Sequence, residues 1–186
     1  MIDNKVFKKV DYSGKHPENR DFENCSFVDC DFSNSNLSNV TFIDCKFENC
    51  NFSMAKMSNT GLKDVKFKNC KLLGLVFSEC NKFLLILDFE DCNLNLASFF
   101  KLKLKNTKFK KCTLQEVDFV EADLTNSVFD NCDFTRAIFD RSILEKADFR
   151  TSHNYSIDPE NNRIKKAKFS SPGVLGLLAK YNIEID

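Results

Sequence analysis

The 186-residue chain has no tryptophan, only five glycines, three prolines and two histidines, and no net charge, with 27 basic residues balancing 27 acidic ones. So few glycines and prolines mean that turns must be made without the usual turn residues. Two histidines, His16 and His153, both in polar surroundings, leave little for a metal centre or a catalytic base. The neutral balance removes the strong basic field of a nucleic-acid binder and the acidic field of an overt DNA imitator. No apolar run approaches membrane-spanning length, and the opening segment, MIDNKVFKKVDYSGKHPENR, has no apolar signal-peptide core. The expectation is a soluble cytoplasmic protein with reduced thiols. No P-loop, GxSxG, HExxH or GxGxxG occurs, so no enzyme is expected and no catalytic, cofactor or metal site is assigned.

What is abundant is phenylalanine, with twenty residues, and cysteine, with nine. Both obey a period of five. Phe22, Phe27, Phe32, Leu37, Phe42, Phe47, Phe52, Met57, Leu62, Phe67, Leu72 and Phe77 recur at every fifth position. The next centre would be Lys82, so the frame fails there and resumes two residues later, at Leu84, Phe89, Leu94, Phe99, Leu104, Phe109, Leu114, Phe119, Leu124, Phe129, Phe134, Phe139, Leu144 and Phe149. If each centre is called i, all nine cysteines stand at i−2, where most other residues are Ala, Ser, Thr or Val.

A period of five fits neither a helix at 3.6 nor an alternating strand at 2.0. It fits a chain that turns a corner every five residues, with i and i−2 inward, and four such sides close a coil of about twenty residues. The closure has its own signature. One column of centres, Phe27, Phe47, Phe67, Phe89, Phe109, Phe129 and Phe149, is all phenylalanine, and the cysteines repeat at twenty as Cys30, Cys50, Cys70 and as Cys92, Cys112, Cys132. Cysteine is then a small apolar filler beside a large ring. Asp and Asn at i−1 are expected to hydrogen-bond the corner backbone.

The triplets CDF, ADL, ADF, CNL and CNF, each followed by two mostly polar residues, resemble the pentapeptide repeat family over residues 21–150. The resemblance implies an all-β, right-handed quadrilateral parallel β-helix with coils about 4.8 Å apart. Within one domain, residues 1–20 are expected to form an irregular first coil and cap, 21–82 and 83–150 the two segments flanking the frame break, and 151–186 a loop, a last partial coil and a short apolar helix. Ser170-Ser171-Pro172 reads as the helix start, and Ile183 and Ile185 as a brief strand. Val174, Leu175, Leu178 and Tyr181 on that helix are candidates for a cap or a homodimer contact.

In the break, Leu84 and Leu87 are expected to point inward and Phe83, Leu85 and Ile86 outward, with Phe100 also outward. These form either a contact patch or a bulge folded over the wall. The family resemblance extends to Qnr-type quinolone-resistance proteins. It implies a protein that binds DNA gyrase or topoisomerase IV in place of duplex DNA, without contacting nucleic acid or membrane itself. Asp88, Glu90, Asp91, Glu116, Asp118, Glu121 and Asp123 would supply the acidic surface for that role. The alternative is an interaction scaffold for an unrelated protein.

Overall fold

In the computed structural model, residues 1–18 and 20–184 are described. The chain winds as a parallel β-solenoid in which paired residues are twenty positions apart, or twenty-two across the break. On the first wall β1 (Ile2–Asp3), β3 (Asp21–Glu23), β5 (Thr41–Ile43) and β7 (Gly61–Lys63) form a four-stranded sheet in that order. On the second wall β2 (Val6–Lys8), β4 (Ser26–Val28), β6 (Lys46–Glu48), β8 (Val65–Lys68), β9 (Leu87–Glu90), β10 (Lys108–Lys110) and β11 (Val128–Asp130) form a seven-stranded one. Single parallel bridges, such as Asp31↔Asn51 and Ser98↔Asp118, hold the third and fourth walls.

The centre residues stack down the axis. In the second-wall column Phe27–Phe47, Phe89–Phe109 and Phe109–Phe129 have ring centroids 4.8, 5.0 and 4.9 Å apart and interplanar angles of 13°, 14° and 14°. Rings of adjacent columns meet edge to face, as Phe22 and Phe27 do at 5.4 Å and 74°. Both arrangements suit the ring quadrupole, each pair contributing about 0.5–1.5 kcal/mol beyond burial.

The i−2 positions have their own logic. The Cys50 thiol donates to the Phe27 carbonyl at 3.4 Å, as Ser127 does to Leu104 at 2.7 Å and Thr60 to Leu37 at 2.8 Å. Each small donor reaches the carbonyl 23 residues earlier, on the coil below. This explains why Cys, Ser and Thr interchange there. All nine cysteines are buried and unbridged, and burial pushes the Cys45 thiol to about 11 and Cys80 to about 12.

Two polar devices turn the corners. At i−1, Asp31, Asn51 and Asp123 accept the main-chain N–H of Ser33, Ser53 and Thr125 at 2.8, 3.1 and 3.1 Å. At i+2 the backbone is left-handed, with φ of 49° at Asn24, 55° at Asp29 and 62° at Asn39. Asn and Asp tolerate this region better than other non-glycine residues, and here they occupy half of the described positions of this kind. Asparagine side chains also pair between coils, as Asn69 to Asn49 at 2.7 Å.

Three expectations are corrected. The first coil is regular rather than irregular: Ile2 and Phe7 pair in register with Phe22 and Phe27, and Phe7 stacks on Phe27 at 4.8 Å. The reason is that Ile2, Phe7, Tyr12 and the buried Pro17 continue the five-residue frame backwards.

At the break the frame runs one side further than the apolar centres suggest. Asn81 bridges Gly61 and caps the Phe83 N–H at 2.9 Å, and Leu84 takes the left-handed i+2 corner at φ 56°. Lys82 thus stands at a centre position, and burying an unpaired ammonium there is prohibitive. It stays exposed, and two additional residues, Leu85 and Ile86, follow before Leu87 resumes at i−2. Leu84 therefore points outward rather than inward, while Leu85 packs half-buried against the core. Leu87 is buried as expected.

Among the described residues the tail contains no α-helix. Gly173–Leu177 and Ala179–Tyr181 are two short 3-10 turns, the second ending at Asn182 with φ 48°. The cause is Tyr155, which with Ile157 fills the last coil. A Cβ on Gly173 or Gly176 would lie 2.1 Å from the Tyr155 hydroxyl or 2.3 Å from its carbonyl oxygen, so both positions need glycine, a poor helix former. Ile183 is exposed outside any strand, and Ile185 lies outside the described residues.

Candidate functional site

Among the described residues no three His, Cys, Asp or Glu side chains gather as metal ligands, and no helix is long and apolar enough to cross a membrane. What remains to be read is the pattern of the four walls.

The second wall carries charges in register. One row reads Glu48, Lys68, Glu90, Lys110 and Asp130 on successive strands, alternating in sign at every step. Lys110 and Glu90 pair at 2.7 Å, and Lys68 and Glu48 at 4.0 Å. The parallel row reads Lys46, Lys66, Asp88, Lys108 and Val128. Between the rows lies a groove of about 510 Å³, its floor formed at Phe67, Phe89 and Phe109.

The structure does not bring the predicted acidic residues together. Asp88 and Glu90 lie on the second wall, Asp91 and Glu116 at corners beyond the second and third walls, Asp118 on the fourth and Asp123 on the first. Most are set against a cation or a donor. Glu116 meets Arg136 at 3.5 Å, Glu121 meets Lys101 at 3.4 Å and Arg141 at 3.5 Å, and Asp123 meets Lys105 at 3.2 Å. Asp88 accepts the Lys108 N–H at 3.0 Å, and Asp118 accepts the Ser98 hydroxyl at 3.2 Å. The hydrogen bond and charge of Lys110 hold the Glu90 carboxyl below its ordinary range.

The apolar break is a local step on the first wall. Phe83, Leu84 and Ile86 are 67%, 57% and 55% exposed. The Lys63 ammonium sits 5.4 Å from the Phe83 ring centroid. Phe100, 36% exposed beneath the Lys101 ammonium, is on the fourth wall and does not join this patch.

At the tail, Val174, Leu175 and Tyr181 are exposed, and Leu178 lines a small depression with Leu175 and Ala179. Lys180 ties this segment back to Asp158 at 2.8 Å and Glu160 at 2.6 Å. Sequence reasoning missed Tyr155. It is 5% exposed with a hydroxyl that has no partner among the described residues, and burial raises its pKa. Its signal was the paired Gly173 and Gly176 in a glycine-poor chain.

The pentapeptide repeat region model matches residues 20–83 and 87–154, with a gap at the step between them. The chain belongs to the pentapeptide repeat family. Two trypsin-treated variant forms of QnrB1, a plasmid-mediated fluoroquinolone resistance protein, superpose on this family member with TM-scores of 0.69 and 0.67. Both are 18% identical to it, covering 97% and 96% of its length and 100% and 99% of theirs, a likeness of fold. HetL of Nostoc sp. strain PCC 7120, a pentapeptide repeat protein involved in heterocyst differentiation regulation, is 10% identical, with a TM-score of 0.47 over 90% of this chain and 87% of its own. No curated protein sequence matches.

Proposed function

We propose that this pentapeptide-repeat protein is a non-catalytic rod that binds a protein partner in the cytoplasm. The observation that carries the reading is the Phe83–Ile86 step, an apolar patch exposed on the first wall with the Lys63 ammonium beside the Phe83 ring. Exposed patches of this kind mark contact sites. Affinity capture with the full chain, compared with a Leu85→Asp/Ile86→Asp variant, tests it. A partner retained undiminished by the variant refutes the step as the contact.

The second reading rests on the likeness of fold to trypsin-treated QnrB1: the partner is a type II topoisomerase, DNA gyrase or topoisomerase IV, guarded from quinolones. Replacing duplex DNA calls for a sustained negative face, and the pairing of Glu90, Glu116, Glu121 and Asp123 with cations argues for a contact of another kind. A gyrase supercoiling assay with and without ciprofloxacin decides it; neither inhibition nor protection at micromolar protein removes this reading. A homodimer would use Val174, Leu175 and Tyr181 on the 3-10 turns, and light scattering on a sizing column would read a single-chain mass if it does not form.

A further inference from the structure

The step differs from every other part of the first wall in its backbone as well as its side chains. Elsewhere on this wall the N–H at i−1 donates to the coil below, as Gly61 to Val40 at 2.9 Å and Asp123 to Leu102 at 2.8 Å. Away from the step the N–H groups at i and i+2 donate to the coil above, as Leu104 to Asp123 at 2.7 Å and Asn106 to Thr125 at 3.0 Å, whereas Leu62 and Asp64, directly below the step, make no such bonds among the described residues. Lys103 at i−1, and Lys82 and Leu84 at i and i+2, make no such bonds among the described residues. The bridge series also runs Gly61↔Asn81 and then Lys103↔Asp123, with none between Asn81 and Lys103.

The charge at the step is equally one-sided. Lys63 sits 5.4 Å from the Phe83 ring centroid, Lys82 precedes Phe83 in the chain and Lys103 holds the i−1 position one coil on; all three are outside any ion pair among the described residues. The nearest acids on this wall are already engaged: Asp64 by Lys66 at 3.8 Å and Asp123 by Lys105 at 3.2 Å.

We infer that the step at Lys82–Ile86 is a docking site for an acidic segment of a partner protein that carries an apolar anchor residue. This rests on the reading of the protein as a protein-binding rod. Phe83, Leu84 and Ile86 receive the anchor, and Lys63, Lys82 and Lys103 receive the carboxylates. Open main-chain donors at Lys82, Leu84 and Lys103 add hydrogen bonds to a peptide backbone, as in strand addition. Those same donors favour a protein over a lipid surface, because hydrocarbon leaves a polar backbone group unsatisfied at a cost of several kcal/mol.

The test uses the full chain and two short fluorescein-labelled peptides read by anisotropy. One repeats Asp, Glu, Leu and Phe, and the other replaces its acids by lysine. The acidic peptide should bind and the lysine one should not, with affinity falling as salt rises. Phe83→Ser/Ile86→Ser and Lys82→Glu/Lys103→Glu variants, shown by circular dichroism to be folded, should each weaken binding about tenfold or more, as loss of the anchor or of the charge complement requires. Equal binding of both peptides, no binding of the acidic peptide, unchanged affinity in both variants, or binding only to phosphatidylserine vesicles overturns the inference. A cellular partner still captured by the lysine variant overturns it while leaving the rod reading intact; capture of no partner by the wild-type chain removes the rod reading itself.

Discussion

Deleting Leu85 and Ile86 while replacing Lys82 with leucine returns the chain to an unbroken five-residue frame from Phe77 to Leu87 and beyond. The leucine takes the centre position that Lys82 cannot occupy, and it replaces the partial burial of Leu85. Closing the step gives the Lys82, Leu84 and Lys103 main-chain donors the partners their counterparts have on neighbouring coils. At a net of about 0.5–1.5 kcal/mol for each hydrogen bond, the expected gain is about 1.5–4.5 kcal/mol. Near the middle of that range the thermal midpoint rises by about 6–12 °C for a chain of this length. Urea titration reads the shift, and native-state hydrogen exchange reads new protection at the amides of residues 82, 84 and 103. Lys82→Leu alone leaves the two additional residues in place and should gain no protection at these amides. A deletion variant with a lower urea midpoint at an unchanged slope, or without new amide protection, refutes the reasoning.

Other expectations concern the core and the two ends. Phe109→Ala removes a fully buried ring stacked on both Phe89 and Phe129 and should cost about 3–5 kcal/mol in urea unfolding. Phe7→Ala, at the half-buried end of the same column with one stacking partner, should cost about half as much and expose only the first coil to exchange; equal losses would contradict nearest-neighbour stacking. Tyr155→Phe removes a buried hydroxyl without a partner among the described residues, so it should be neutral or stabilising by about 1 kcal/mol, whereas Gly176→Ala should destabilise by about 2 kcal/mol or more through overpacking against Tyr155. Although burial raises the Asp133 carboxyl, hydrogen bonds from Gln115, Asn154 and Thr135 outweigh it and hold it near 2, against an ordinary 3.8. With the folded value depressed, its contribution is full above about pH 4 and is lost as pH falls through about 2. Asp133→Asn should therefore flatten the acid arm of the stability profile in that window.

Much of the fold was legible because its rule is local and strict. Outside the step a side chain must face inward at i and i−2, so Phe, Leu and Cys in a fixed frame identify the core before any contact is known. The i−1 aspartates and asparagines were legible for the same reason, since each bonds an N–H two residues on. The left-handed i+2 corners were equally present in the run Asn24, Asp29, Asn34, Asn39, Asp44 and Asn49, but leucines, lysines and glutamates at the same position later in the chain mask the signal. The step was legible as an apolar interruption, yet not in its orientation. A pattern scan prefers Leu84 as a centre, whereas the backbone continues to Lys82 because Asn81 can pair with Gly61 and cap the corner.

The sequence by itself determined the coil, its four columns and the place where they are interrupted, because those follow from which side chains water rejects at a spacing of five. Tertiary structure alone decided the rest. Whether an acid stands free or paired depends on the residue twenty positions away, as Glu90 and Lys110 show. Whether the tail forms an α-helix or 3-10 turns depends on the space that Tyr155 leaves beside Gly173 and Gly176. Both are contacts between coils, made by residues distant in the chain, and no local pattern of five records them.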